Sequence, residues 1–154
     1  MLAFLCRATL FSADKPPAHF VRPDDSCAAV YTVDKRDSIL IIDDEPSVAD
    51  ALRLILEDQG HRVLVATAGR AGLDLSRREP VGVVITDLRL PDISGFEVLA
   101  ALRAESPHVR AILITSHGTP ESFAEALSLG AVACLSKPFA PADIVRLVEQ
   151  ISRQ

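Results

Sequence analysis

From Ser38 onward, short unbroken apolar runs alternate with longer segments whose apolar residues recur every three or four positions. The first run, "ILII" (Ile39–Ile42), leads straight into Asp43. Pro46–Gln59 follows, with Val48, Leu52, Ile55 and Leu56 at helical spacing, Pro46 suited to a first turn and Gly60 to a stop. Arg62–Val65 predicts a short strand and Gly69–Arg78 a helix. "VGVVITD" (Val81–Asp87) predicts a second buried strand ending in acid, and "LRLPDISG" a loop. Phe96–Glu105 predicts a helix with Phe96, Leu99 and Leu102 on one face. "RAILITS" (Arg110–Ser116) predicts a strand, and Thr119-Pro120 opens a helix that Gly130 closes. Ala131–Leu135 predicts the last strand, and Ala140–Ser152 the last helix, with Ile144, Leu147 and Val148 inward.

These are five strand–helix units. Strands that are apolar throughout, rather than alternating, are covered on both faces, so the pattern predicts an α/β fold: a parallel five-stranded sheet between helices. Right-handed crossovers place the C-terminal end of every strand on one edge, where open α/β sheets bind ligands. Residues 1–37 hold neither period and mix Asp, Lys, Pro and Ser ("SADKPPAHFVRPDDS"), which predicts a poorly ordered extension ahead of a domain at 38–154. Met1 is the only methionine, so a true tail and an upstream start codon read in error both remain open.

Composition narrows the function. With 49% apolar and 24% charged residues the chain is ordinary for a globular domain. A net charge of −5 gives no support for binding free nucleic acid. Cys6, Cys27 and Cys134 lack metal-ligand spacing and fit reduced thiols in the cytoplasm. No apolar run approaches the roughly 20 residues that span a bilayer, and Arg7 interrupts the apolar "MLAFLCRATLF".

The strand ends carry the candidate chemistry: Asp43 and Asp44, then Asp87, then Thr115 and Ser116, then Lys137. Each has an ordinary reading alone. Acids before a helix favour its N-terminus by about 0.3–1 kcal/mol each, and an isolated lysine is usually solvated. Together they differ, because two carboxylates about 5 Å apart repel by roughly 3 kcal/mol at an effective dielectric near 20. Three need a proton or a cation, and an oxygen-only ligand set suits Mg2+. A carboxylate beside such an ion is a competent nucleophile for phosphoryl transfer, with Lys137 and the Thr115 hydroxyl placed to meet phosphoryl oxygens.

The motifs "IIDDEPSV", "VVITDLRLPDISGFEVL", "AILITS" and "CLSKPF" together resemble the receiver domain of bacterial two-component response regulators, over about residues 38–154. The resemblance implies a flavodoxin-like receiver fold, strand order 2-1-3-4-5, of the chemotaxis-regulator type. It implies Asp87 as phosphoacceptor and Asp44 as a direct Mg2+ ligand, with Asp43 acting largely through water and the Arg89 backbone carbonyl as a further ligand. Thr115 would be the switch hydroxyl, Lys137 the phosphate contact, and Lys137–Pro138 a cis bond. The phosphoryl donor would be a phosphohistidine on a sensor histidine kinase or phosphotransfer protein, docking near Pro46, Ala49 and Pro138. Such a chain is a signalling module rather than an enzyme. It would signal by protein contact as a monomer or weak dimer, without binding nucleic acid or membrane.

Departures from the family pattern mark what is particular to this chain. Cys134 stands where the family usually carries Tyr or Phe, which predicts altered coupling between phosphorylation and the output face. Arg89 and His117, with Ser116, flank the expected phosphoryl group and would tune its lifetime. His19, His61 and His108 have no ligand-like partners and are expected at the surface. A stand-alone relay is the leading expectation. A receiver piece of a DNA-binding regulator or hybrid kinase, and a degenerate receiver used only for binding, are the alternatives. An aspartate-based phosphatase is disfavoured because Arg89 stands where its second acid belongs, and there is no Gly-rich nucleotide loop.

Overall fold

The computed structural model describes Phe20–Val21 and residues 37–152. In chain order the elements are β1 (Phe20–Val21), β2 (Ser38–Ile42), α1 (Pro46–Asp58), β3 (Val63–Ala66), α2 (Gly69–Arg78), β4 (Val81–Asp87), α3 (Gly95–Glu105), β5 (Arg110–Thr115), α4 (Pro120–Ser128), β6 (Ala131–Ser136) and α5 (Pro141–Ser152). They form one sheet ordered β1-β6-β5-β4-β2-β3. Its five long strands are parallel and stand in the expected 2-1-3-4-5 order.

The sixth strand was not anticipated. Phe20–Val21 pairs antiparallel along the outer side of β6, opposite Leu135 and Cys134. It lies within the segment expected to be a poorly ordered extension. The remainder of that segment, with His19, Cys6 and Cys27, lies outside the described residues.

Alternation within each buried strand divides the core in two. On β2, Leu40 and Ile42 face one side with Val84, Leu113 and Cys134, against Leu73 of α2, Val98, Leu99 and Leu102 of α3, and Phe123 and Ala126 of α4. Ile39 and Ile41 face the other with Ile85, Ile112, Ile114 and Leu135, against Leu52 and Leu56 of α1 and Ile144, Leu147 and Val148 of α5. Each fully buried aliphatic side chain contributes about 1.5–3 kcal/mol, so both faces of the central strands are bound to helices and the sheet cannot shift register cheaply.

Local signals set the helix ends. Pro46 occupies the first turn of α1. Ser94 and Glu97 form a reciprocal capping box at α3, as do Thr119 and Ser122 at α4. Gly60 and Gly130, at φ of 87° and 106°, turn the chain out of α1 and α4 in a conformation that disfavours any Cβ. Helix α2 is capped from a distance: Asp92, in the loop after β4, accepts from Gly69 N at 2.8 Å and Arg70 N at 2.9 Å. His108 is exposed as expected. His61 departs from its expected surface position: it is half-buried, and burial holds its pKa below the ordinary value against the opposing pull of Glu149.

Candidate functional site: an acid cluster on the sheet edge

Because β2 and β4 are hydrogen-bonded neighbours, their C-terminal ends deliver acids to the same place. Ile42 pairs with Thr86, so Asp43 and Asp87 each stand one residue beyond a matched pair. One carboxylate oxygen from each of Asp43, Asp44 and Asp87 can be chosen so that all lie within 4.8 Å of one another. Asp43 is buried, Asp87 half-buried and Asp44 exposed, so the cluster opens from core to solvent.

Lys137 arrives from the far side of the sheet. β6 runs beside β5, the Lys137 amide donates to Thr115 O at 2.9 Å, and the next peptide bond, Lys137–Pro138, is cis. The ammonium donates to Asp43 Oδ2 at 2.9 Å and Asp87 Oδ2 at 3.0 Å. The other oxygens are held by loop amides: Glu45 N donates to Asp43 Oδ1 at 2.9 Å, and Arg89 N to Asp87 Oδ1 at 3.2 Å. Two carboxylates are thus oriented by one lysine and two backbone amides, and the third, Asp44, stays open to solvent.

Burial raises the Asp43 pKa, outweighing the Glu45 amide and Lys137, and the Asp87 charge raises it further. For Lys137, burial alone would lower the pKa, but its bonds to Asp43 and Asp87 prevail and raise it. One lysine does not neutralise three aspartates, so the pocket favours added positive charge. Its oxygen-only donors at these spacings are compatible with a hard divalent cation.

Thr115 is buried at the end of β5, and its Oγ1 accepts from His117 N at 3.2 Å within its own loop. The side chains of Ser116, His117 and Arg89 stand exposed around the cluster. Cys134 is not at the cluster. It is fully buried two strands away from β4, its thiol pushed up to about 12 by burial. Of the residues proposed for docking, Pro46 and Pro138 are exposed. Ala49 is buried under α1 at 2% exposure and offers no surface. Val48, Ala51 and Ile55 instead line a groove of about 600 Å3 with Lys137, Pro138 and Phe139, between α1 and the start of α5. Helical spacing could not separate Ala49 from Ala51, because a face carrying both core and groove residues blurs the period.

Residues 39–149 match the family model for the response regulator receiver domain. Transcriptional regulatory protein FixJ of Azorhizobium caulinodans is 39% identical over 108 residues, covering 70% of this chain and 51% of that protein. The alginate biosynthesis transcriptional regulatory protein AlgB of Pseudomonas aeruginosa is 34% identical over 116 residues, covering 75% of this chain but 26% of its own. The chain thus spans about a quarter to a half of these transcriptional regulators. An uncharacterised 14.6 kDa protein of Leptolyngbya boryana is 35% identical, over 73% of this chain and 87% of that one. The crystal structure of a CheY-like receiver domain protein from Methanospirillum hungatei superposes with a TM-score of 0.72 at 30% identity, covering 76% of this chain and 94% of that one. By this match and by its fold, the chain belongs to the response regulator receiver domain family, the signalling modules of two-component systems.

Proposed function

We propose that residues 38–154 accept a phosphoryl group on Asp87, from a phosphohistidine of a sensor histidine kinase or phosphotransfer protein. The observation that carries this reading is the geometry of Asp87. One oxygen is tethered to Lys137, beside two further aspartates with oxygens within 4.8 Å. An Asp87 oxygen attacks phosphorus as the P–N bond to the imidazole breaks. The electron pair goes to the imidazole nitrogen, and an acyl phosphate forms on Asp87.

Asp43, Asp44, Asp87 and the Arg89 carbonyl would hold Mg2+, which when bound offsets charge between the carboxylates and the phosphoryl oxygens. Lys137 contacts a phosphoryl oxygen, and the Thr115 hydroxyl turns from its own loop to donate to another. Arg89, Ser116 and His117 flank the group and govern the access of water to it. The kinase or phosphotransfer protein docks over the α1–α5 groove beside Lys137. The domain works in the cytoplasm as a monomer or weak dimer and signals through protein contact. Among the described residues no helix is long and apolar enough to cross a membrane.

Acetyl phosphate with Mg2+ tests this directly. Intact-mass measurement is expected to show one acid-stable, base-labile phosphoryl adduct, lost in Asp87→Asn. Arg89→Ala and His117→Ala are expected to shorten its lifetime. Absence of any adduct on the wild-type chain would refute the reading and favour a receiver used only for binding.

The coverage of FixJ and AlgB favours a second reading at the level of the whole protein: this receiver serves a longer transcriptional regulator. The length of the complete gene product discriminates between that and a stand-alone relay.

A further inference from the structure

The loop leaving the site runs into one aromatic ring. Three residues after Thr115, the backbone at Gly118 lies so close to Phe123 that a Cβ there would fall 2.2 Å from ring carbon Cζ and 2.4 Å from Cε1. Phe123 sits on α4, is 6% exposed, and belongs to the core shared with Leu113, Ala131 and Cys134. Cys134 Sγ lies 3.9 Å from the Phe123 carbonyl oxygen. Of Phe96, Phe123 and Phe139, the aromatic residues whose side chains are described, only Phe123 is buried.

We propose that Phe123 is the positioning residue that carries a change at the acid cluster into α4. This rests on the reading that Asp87 is phosphorylated. If Thr115 turns toward a group on Asp87, its bond from His117 N is given up and the segment 115–118 must move. The space between Gly118 and the ring would not admit even a methyl group, so a shift of this segment toward α4 displaces the ring. Packed interiors shift between discrete arrangements rather than yielding gradually. The small Cys134 thiol has too little bulk to play that part from β6. The large group sits on α4 instead, and the element that bears the ring is the one displaced.

The test loads Asp87 in the full chain with beryllofluoride or acetyl phosphate and Mg2+. Adduct yield is read by mass, and the response of α4 by the backbone amide shifts of Ser122–Ser128. Phe123→Ala is expected to take adduct like the wild type while its α4 response falls several-fold. The size exchange Phe123→Ala/Cys134→Phe is expected to restore part of that response. Where Phe123→Ala fails to fold, Phe123→Leu serves the same comparison, because it keeps an apolar branched chain without the ring. An undiminished α4 response in a fully loaded Phe123 variant overturns the coupling alone. A wild-type chain that takes no adduct overturns the phosphorylation reading, and the coupling with it.

Discussion

The Lys137 ammonium lies 3.0 Å from Asp87 Oδ2 and simultaneously 2.9 Å from Asp43 Oδ2. A residue that follows β6 thus holds two carboxylates from the centre of the sheet, each of the three side chains at most 13% exposed. Lysine and a divalent cation would neutralise the same acids.

Lys137→Met should therefore make folding depend on the cation. Losing one partner of a buried pair costs about 3–5 kcal/mol, and millimolar Mg2+ should recover more stability in the variant than in the wild type. Urea denaturation of both chains, with and without Mg2+, measures this. Equal Mg2+ responses would count against a shared role.

Asp92 gives a pH-dependent prediction. Amides of Arg70, Ile93 and Gly69 hold its pKa below the ordinary 3.8, the Arg70 bond contributing most. A carboxylate with a depressed folded pKa stabilises fully above its unfolded value and loses that contribution as pH falls through the folded one. Asp92→Ala should lower the melting temperature at neutral pH by uncapping α2, and its deficit against wild type should shrink below pH 3.8. A deficit independent of pH would mean that the carboxylate charge has no part in the cap.

Gly95 sits behind the proposed phosphoacceptor. A Cβ there would lie 2.4 Å from the Asp87 carbonyl oxygen and 2.8 Å from Leu88 Cα, both backbone atoms. Gly95→Ala should destabilise the fold by about 1–3 kcal/mol, the usual range for overpacking, and slow adduct formation at Asp87. Thermal melts together with phosphorylation rates check both parts. A rate unchanged in a destabilised chain would separate packing from site geometry.

Cys134 should be chemically silent in the folded protein. It is 0% exposed, and its thiol is pushed up to about 12, so at pH 8 it is both protonated and unreachable. Iodoacetamide at that pH, followed by peptide mapping, should leave Cys134 unmodified until denaturant is added. Rapid labelling of the native chain would show that β6 opens locally.

The acid cluster was legible because its chemistry stands where apolar runs stop. Asp43 and Asp87 end two buried strands, and Lys137 follows a third, so naming the strands nearly named the site. Contacts made across long sequence separations were not. Asp92 reads as a turn residue, and nothing local says that it caps a helix beginning 23 positions earlier. Phe123 reads as one apolar position of a helix, and only the fold brings its ring against Gly118. The inward placement of Ala49 was hidden by the apolar groove beside it. Phe20–Val21 is too short to show any period, so its pairing with β6 left no pattern to find.

That pairing has a consequence for the sheet as a whole. β6 has backbone partners on both flanks, β5 inside and Phe20–Val21 outside. A chain shortened to begin at Ser38 would lose the outer one, leaving amides and carbonyls around Cys134 and Leu135 bare along the rim. Exposed rims of this kind recruit extended segments from neighbouring molecules. In this chain, Phe20–Val21 takes up that stretch of the rim itself.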